Sequence, residues 1–145
     1  MFGLGNLLFG KKVTVNTQLG TFKARVRNNS SKEIIWTGEI EFTTQNSELI
    51  LMLLGNAKGP FQSQLETAQS ILKDEESIKI QIVELLSGIP SDMKKIQDLK
   101  ITDFRLKYIG FFQDDGITHE LSYESEDGGY FGAVFKGQAI KDLLI

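Results

Sequence analysis

The stretch EIIWTGEIEFTT, from Glu33 to Thr44, places Ile34, Trp36, Gly38, Ile40 and Phe42 on one side of an extended chain and Thr37, Glu39 and Glu41 on the other. A period of two is the signature of a β-strand with one dry and one wet face, and a helix cannot reproduce it. The same alternation appears upstream in Val13 and Val15, and again in Phe22, Ala24 and Val26. If Asn29, Ser30 and Ser31 form a short hairpin loop, Ala24 falls opposite Trp36, Phe22 opposite Gly38 and Arg27 across from Glu33. The run from Glu48 to Gly55 is almost continuously apolar and predicts a central strand covered on both faces. Residues 12–54 therefore read as a first strand meander.

The period then changes. Pro60 suits the first position of a helix, where its missing N–H has no partner to lose. Phe61, Leu65, Ala68 and Leu72 recur at helical spacing, as do Ile78, Ile82, Leu85 and Leu86 beyond the polar interval Lys73 to Glu76. Residues 60–87 predict one kinked helix or two, ended by Gly88 and Pro90, with a further short helical turn between Ser91 and Lys100. Strands return over 104–145. Phe104, Leu106, Tyr108, Gly110 and Phe112 share one phase, and Ile117, His119, Leu121 and Tyr123 another. An Asp115-Gly116 turn would set Phe112 opposite His119, Gly110 opposite Leu121 and Tyr108 opposite Tyr123. Gly137 and Gln138 then turn into a last strand ending at Ile145. The pattern is α+β: antiparallel strand meanders at both ends, each forming its own sheet, with a central helical segment laid on their apolar faces.

The glycine- and acid-rich stretch ESEDGG, Glu124 to Gly129, has the composition of an ion or phosphate loop, but the register favours a hairpin. A loop of Asp127, Gly128 and Gly129, with one glycine left-handed, pairs Tyr123 with Ala133 and Leu121 with Phe135 and keeps one side apolar. A two-residue Asp127-Gly128 loop would mix the faces. Neither acidic turn carries the alternating oxygen ligands of a calcium loop, and Gly3-Leu-Gly5 lacks the strand and third glycine of a nucleotide loop. No metal and no cofactor are expected.

The chain has 145 residues, 41% hydrophobic and 24% charged, which fits a single folded domain of residues 1–145. It has no cysteine, so thiolate sites and disulfides are excluded and a cytoplasmic location is expected. The apolar N-terminal segment, residues 1–10, is broken by glycines and lacks the charge pattern of a signal peptide, and no membrane span is expected. The net charge of −3 is unevenly spread. Met1 to Lys32 contains Lys11, Lys12, Lys23, Arg25, Arg27 and Lys32 and no acid. Tyr108 to Phe135 contains Asp114, Asp115, Glu120, Glu124, Glu126 and Asp127 and no lysine or arginine. The basic stripe has only Phe22 interleaved, on the core side, so it lacks the stacking platform of a nucleic-acid surface. The six acids read either as a solvated face or as a docking surface for a basic protein partner.

His119 is the sole histidine. Its phase between Ile117 and Leu121 predicts a core position, while a pocket formed with Tyr108 and Tyr123 is the alternative. Glu120 and Glu124 point the other way along the strand, so they would not join His119 around a metal.

Trp36 with Gly38, followed by a helical segment and a late strand bearing Tyr130, Phe131 and Gly132, resembles the bacterial domain-of-unknown-function families DUF2262, DUF2004 and DUF6985 over residues 33–145. Ala133 stands where such sequences often carry a histidine. The resemblance implies a small cytoplasmic accessory or immunity-like protein, with no established activity. The expected function is noncatalytic binding through a protein surface, by a monomer or small homo-oligomer; the alternative is a small-ligand binder or enzyme with its pocket at His119.

Overall fold

The computed structural model describes residues 10–26, 33–42, 47–89, 100–113, 115 and 117–144. The alternating segments form β1 (Lys11–Thr17), β2 (Gly20–Val26), β3 (Ile34–Phe42) and β4 (Ser47–Asn56), followed by the two-residue β5 (Gly59–Pro60). Two helices follow, α1 (Gln62–Lys73) and α2 (Glu75–Ser87), then β6 (Phe104–Phe111), β7 (Thr118–Ser125), β8 (Tyr130–Lys136) and β9 (Ala139–Leu144). The expected residue 29–31 loop, the Arg27–Glu33 pairing, the turn at residues 114–116, the helical turn at 91–99 and the N-terminal segment 1–9 lie outside the described residues, in whole or in part.

The α+β class is as expected, but the two meanders are not separate sheets. They join into one, in the order β1-β2-β3-β4-β6-β7-β8-β9, with β5 folded back on the end of β4. Every pairing is antiparallel except β4 with β6, where Ile50, Leu51 and Met52 meet Tyr108, Ile109 and Gly110 in parallel. Parallel neighbours need a crossover connection, and the helical segment supplies it. Phe22 pairs with Gly38 as the alternation requires, large against small. A Cβ at Gly38 would come within 2.9 Å of the Phe22 ring, so only glycine leaves that ring its place.

A single core joins Trp36, Leu49, Leu51 and Leu53 to Leu65, Ala68, Ile71, Ile82 and Leu86 of the helices and to Leu106, Ile109, Leu121 and Phe131. Trp36 is fully buried, and its indole N–H donates to the Asn56 carbonyl at 3.0 Å. Because the helices cover one side only, β4 is central but not covered on both faces. Leu49, Leu51 and Leu53 point inward, while Ile50 remains 42% exposed on the outer face.

Pro60 does not begin the helix. It pairs with Gly55 in β5, and Phe61 donates its N–H to the Leu54 carbonyl at 2.9 Å before helical hydrogen bonding starts. The chain thus closes a tight hairpin first, and the helix follows with Phe61 as its N-cap. The buried helical stripes are rotated from those expected: Gln64, Leu65, Ala68 and Ile71 on α1, and Glu75, Lys79, Ile82 and Leu86 on α2, with Leu85 exposed.

The largest departure is in β6. Leu106 pairs with Tyr123, yet Tyr108 pairs with Ser122, so Lys107 is an extra residue that shifts the register. This β-bulge swaps the faces beyond it. Phe104 and Leu106 face the core before the bulge, and Ile109 and Phe111 face it afterwards in place of Tyr108, Gly110 and Phe112. The driving force is plain: without the bulge, a tyrosine hydroxyl would enter the core and two large apolar side chains would leave it. Consequently Phe111, not Phe112, stands opposite His119, and Ile109 opposite Leu121. The β7–β8 hairpin keeps the expected faces with its pairs slid by two residues: Leu121 meets Ala133, Tyr123 meets Phe131 and His119 meets Phe135.

One buried side chain ties the crossover to the sheet. Gln64, fully buried, accepts from the Leu54 N–H at 2.7 Å and donates to the Gln113 carbonyl at 3.0 Å. Replacing Gln64 with leucine leaves the Leu54 N–H buried and unpaired, and we expect a loss of about 1–3 kcal/mol in urea unfolding. An unchanged midpoint would contradict this role.

Candidate functional site

The acids singled out in the sequence separate in space. Glu120 and Glu124 lie on the outer face of β7, paired in register with Gly110 and Arg105 on one side and Val134 and Tyr130 on the other. The Tyr130 hydroxyl donates to Glu124 Oε2 at 3.4 Å. Asp115 lies before β7, and Glu126 and Asp127 lie after it. At about 3.3 Å per residue, the eight-residue strand puts about 25 Å between these ends. Asp114 lies outside the described residues.

Asp115 and Asp127 are occupied by their own turns. Asp115 accepts from the Thr118 hydroxyl at 2.6 Å and from the N–H groups of Thr118 and Ile117 at 2.9 and 3.0 Å, and these bonds hold its carboxyl below the ordinary range. Asp127 accepts from the Ser125 hydroxyl and from the Gly129 N–H at 2.9 Å, with the same effect. Gly128 adopts φ +88°, and its N–H donates to the Ser125 carbonyl at 3.0 Å. ESEDGG is thus a hairpin whose three-residue loop is Glu126, Asp127 and Gly128, one residue earlier than expected, because Ser125 pairs with Gly129. On the basic side, Lys11, Lys12, Lys23 and Arg25 occupy β1 and β2 at the far edge of the sheet from β7, and Arg25 donates to the Gly10 carbonyl at 3.2 Å. Arg27 and Lys32 lie outside the described residues.

His119, Tyr108 and Tyr123 do not share a pocket. The bulge leaves Tyr108 on the outer face, where its hydroxyl reaches Met52 Sδ at 3.7 Å. Tyr123 is sealed in the core, edge-on to Phe104 at 5.2 Å and stacked on Phe131 at 5.5 Å. Its hydroxyl is buried without a partner, and burial, reinforced by the charge of Glu75, pushes its pKa far up. Beside it, Glu75 and Lys79 form a buried charge pair at 3.4 Å. Burial raises the Glu75 pKa against the opposing pull of Lys79. Lys79 donates to the carbonyls of Phe104 at 2.6 Å and Ile101 at 3.2 Å and sits 5.1 Å from the Phe104 ring centre. In the sequence, Glu75 lies in the polar interval Lys73 to Glu76 and Lys79 beyond it.

His119 alone opens onto a cavity. Its ring is held between Phe111 at 5.4 Å and Phe135 at 5.3 Å, parallel to the latter within 2°. Nδ1 lies 2.9 Å from the Ile117 carbonyl, a contact in which Nδ1–H donates, so that in the neutral ring Nε2 is the acceptor. Burial pushes the imidazole pKa below its usual value, against the smaller opposing effects of the Ile117 carbonyl and Asp115, and so favours the neutral ring. The groove that it helps to line has a volume of about 600 Å³ and runs between the helices and the β7–β8 end of the sheet. Ile71, Ile78, Ile117 and Phe135 form its apolar walls, and Thr67, Ser70, Asp74, Ser77 and Gln81 form a polar rim.

The rim was not anticipated from the sequence, although a signal was there. Residues 67, 70, 74, 77 and 81 recur at alternating steps of three and four, a polar stripe beside the apolar one that continues across the junction of α1 and α2. Asp74 is both the C-cap of α1 and the N-cap of α2, yet its side chain makes no capping hydrogen bond. Asp74 is exposed and lines the groove. No group of three or more histidine or acidic side chains is placed to hold a metal ion among the described residues, and no described helix is long and apolar enough to cross a membrane. Compared with protein-family models, curated proteins and solved structures, the chain matches none.

The depressed imidazole pKa has a testable consequence. The unfolded chain takes up the histidine proton near pH 6.5, whereas the folded protein resists it, so stability is fully present above that value and falls as pH drops through it. Urea unfolding followed between about pH 7.5 and 5.5 should show this loss, and His119→Leu should flatten it. A loss of stability on lowering the pH that persists undiminished in the variant would contradict a buried neutral ring.

Proposed function

We propose that this protein is a noncatalytic binding protein that captures a lysine or arginine side chain of a basic protein partner in the groove above His119. The observation that carries this reading is a buried histidine, its Nδ1 tied to the Ile117 carbonyl, lining a groove whose one charged lining residue among those described is Asp74. The walls of Ile71, Ile78 and Phe135 suit the aliphatic stem of a long basic side chain, while Asp74 and Nε2 offer acceptors to its head. A noncatalytic role is supported by the tethering of His119: its ring is stacked between two phenylalanines, and Nδ1 is bound to a backbone carbonyl instead of to a carboxylate that would strengthen it as a base. The reading extends to an immunity-like accessory protein of the cytoplasm, one that neutralises a basic partner by surface complementarity.

The test is titration of isotopically labelled protein with a lysine- and arginine-rich peptide, read by NMR. Signals of His119, Ile71 and Phe135 should move, and Asp74→Asn should weaken binding about twofold to fivefold with the fold intact. If the peptide instead perturbs Glu120 and Glu124 on the outer face and leaves His119 unmoved, the groove is not the site.

A further inference from the structure

The face of the sheet opposite the helices departs from the polar surface that a one-sided antiparallel sheet normally presents. Ile35 is 55% exposed and Ile50 is 42% exposed, and half-buried Met52 and Tyr108 adjoin Ile50 at the centre of this face. The side chain of Tyr108 folds flat over Gly110, where an added Cβ would collide with it, and so extends an apolar strip across β4 and β6.

Two rows that cross this strip carry polar groups on either side of β4, and exposed Glu48, paired with Glu41, closes the strip at its end. Following the ladders across the sheet, Lys23 pairs with Thr37, Thr37 with Met52, Met52 with Gly110 and Gly110 with Glu120. One row therefore carries a cation two strands to one side of Met52 and an anion two strands to the other, each about 10 Å from β4 at the usual strand spacing. In the neighbouring row, Glu39 pairs with Ile50 and Ile50 with Tyr108, so a carboxylate and a phenol flank Ile50 one strand away on either side. Neither Lys23 nor Glu120 has an ion-pair partner among the described residues.

We propose that this face binds a second copy of the same chain, sheet against sheet, about a two-fold axis running along β4. Such an axis reverses the strand order while keeping each row level. It lays Lys23 over Glu120 of the second copy and Glu120 over its Lys23, places Glu39 against its Tyr108, and brings Met52 and Ile50 together at the centre. The arrangement is that of an isologous interface: an apolar middle with flanking charges that complement themselves. An unrelated partner would give no reason for opposite charges to stand equidistant from one strand. The helices and the His119 groove then face outward on both copies, so this dimer is independent of what the groove binds.

Sedimentation and light scattering across the micromolar range at low salt test the proposal. The wild type should be a dimer that weakens as salt is added. Lys23→Glu and Glu120→Lys should each weaken association about tenfold or more by creating like-charge contacts, and the double exchange should recover most of the loss. Circular dichroism establishes that each variant is folded. A wild type that stays monomeric throughout, a dimer indifferent to both single exchanges, or a double variant no tighter than the singles would overturn the proposal.

Discussion

Three residue pairs between β4 and β6 hold the two halves of this chain in one sheet. Ile50, Leu51 and Met52 lie beside Tyr108, Ile109 and Gly110, and among the described residues no other strand pairing links the first meander to the second. A parallel pairing this short contributes few hydrogen bonds, so its register rests on what covers it. Leu51 and Ile109 are both fully buried beneath the helices, and Gln64 bonds the start of α1 to Leu54 on one side and Gln113 on the other. The crossover is thus both the connection and the clamp. Without it, each meander would present an apolar face to water that neither could hide alone.

The bulge at Lys107 determines where chemistry is available. By exchanging the faces of β6 midway, it delivers Phe111 to the inner side, where that ring packs on one face of His119 while Phe135 stacks on the other. The same exchange places Tyr108 and Gly110 on the outer face beside Met52 and Glu120. One inserted residue therefore shapes both the floor of the groove and the middle of the uncovered sheet. This agrees with the general placement of bulges where a strand must re-aim its side chains.

Much of the fold is legible in the sequence because alternation is a direct consequence of one-sided burial. The faces of β1, β2, β3, β7 and β8 follow from it, and so does the Phe22–Gly38 pairing. The bulge is not legible, since beyond Lys107 both phases, Tyr108 and Phe112 or Ile109 and Phe111, are apolar and hydrophobicity cannot choose between them. Nor is the fusion into one sheet, because a parallel contact between distant strands has no local pattern. Nor is the exposed underside of β4, since a continuous apolar run does not distinguish a strand covered on both faces from one whose outer side is partly exposed. At the site, His119 was found by its uniqueness and its phase. The alternative pocket at His119 has the wrong partners in Tyr108 and Tyr123, because the true rim comes from small polar residues whose helical spacing looks like ordinary solvated surface.

The dependence of both halves on one clamp is tested most directly by native-state hydrogen exchange. If the β4–β6 pair and the helices above it unite a single core, the protected amides of β3 and β4 and those of β6, β7 and β8 should all exchange through one opening whose free energy equals that of global unfolding. Two distinct plateaus, with the C-terminal strands opening at clearly lower free energy while β1 to β4 stay closed and with the amides at the β4–β6 contact unprotected, would contradict it.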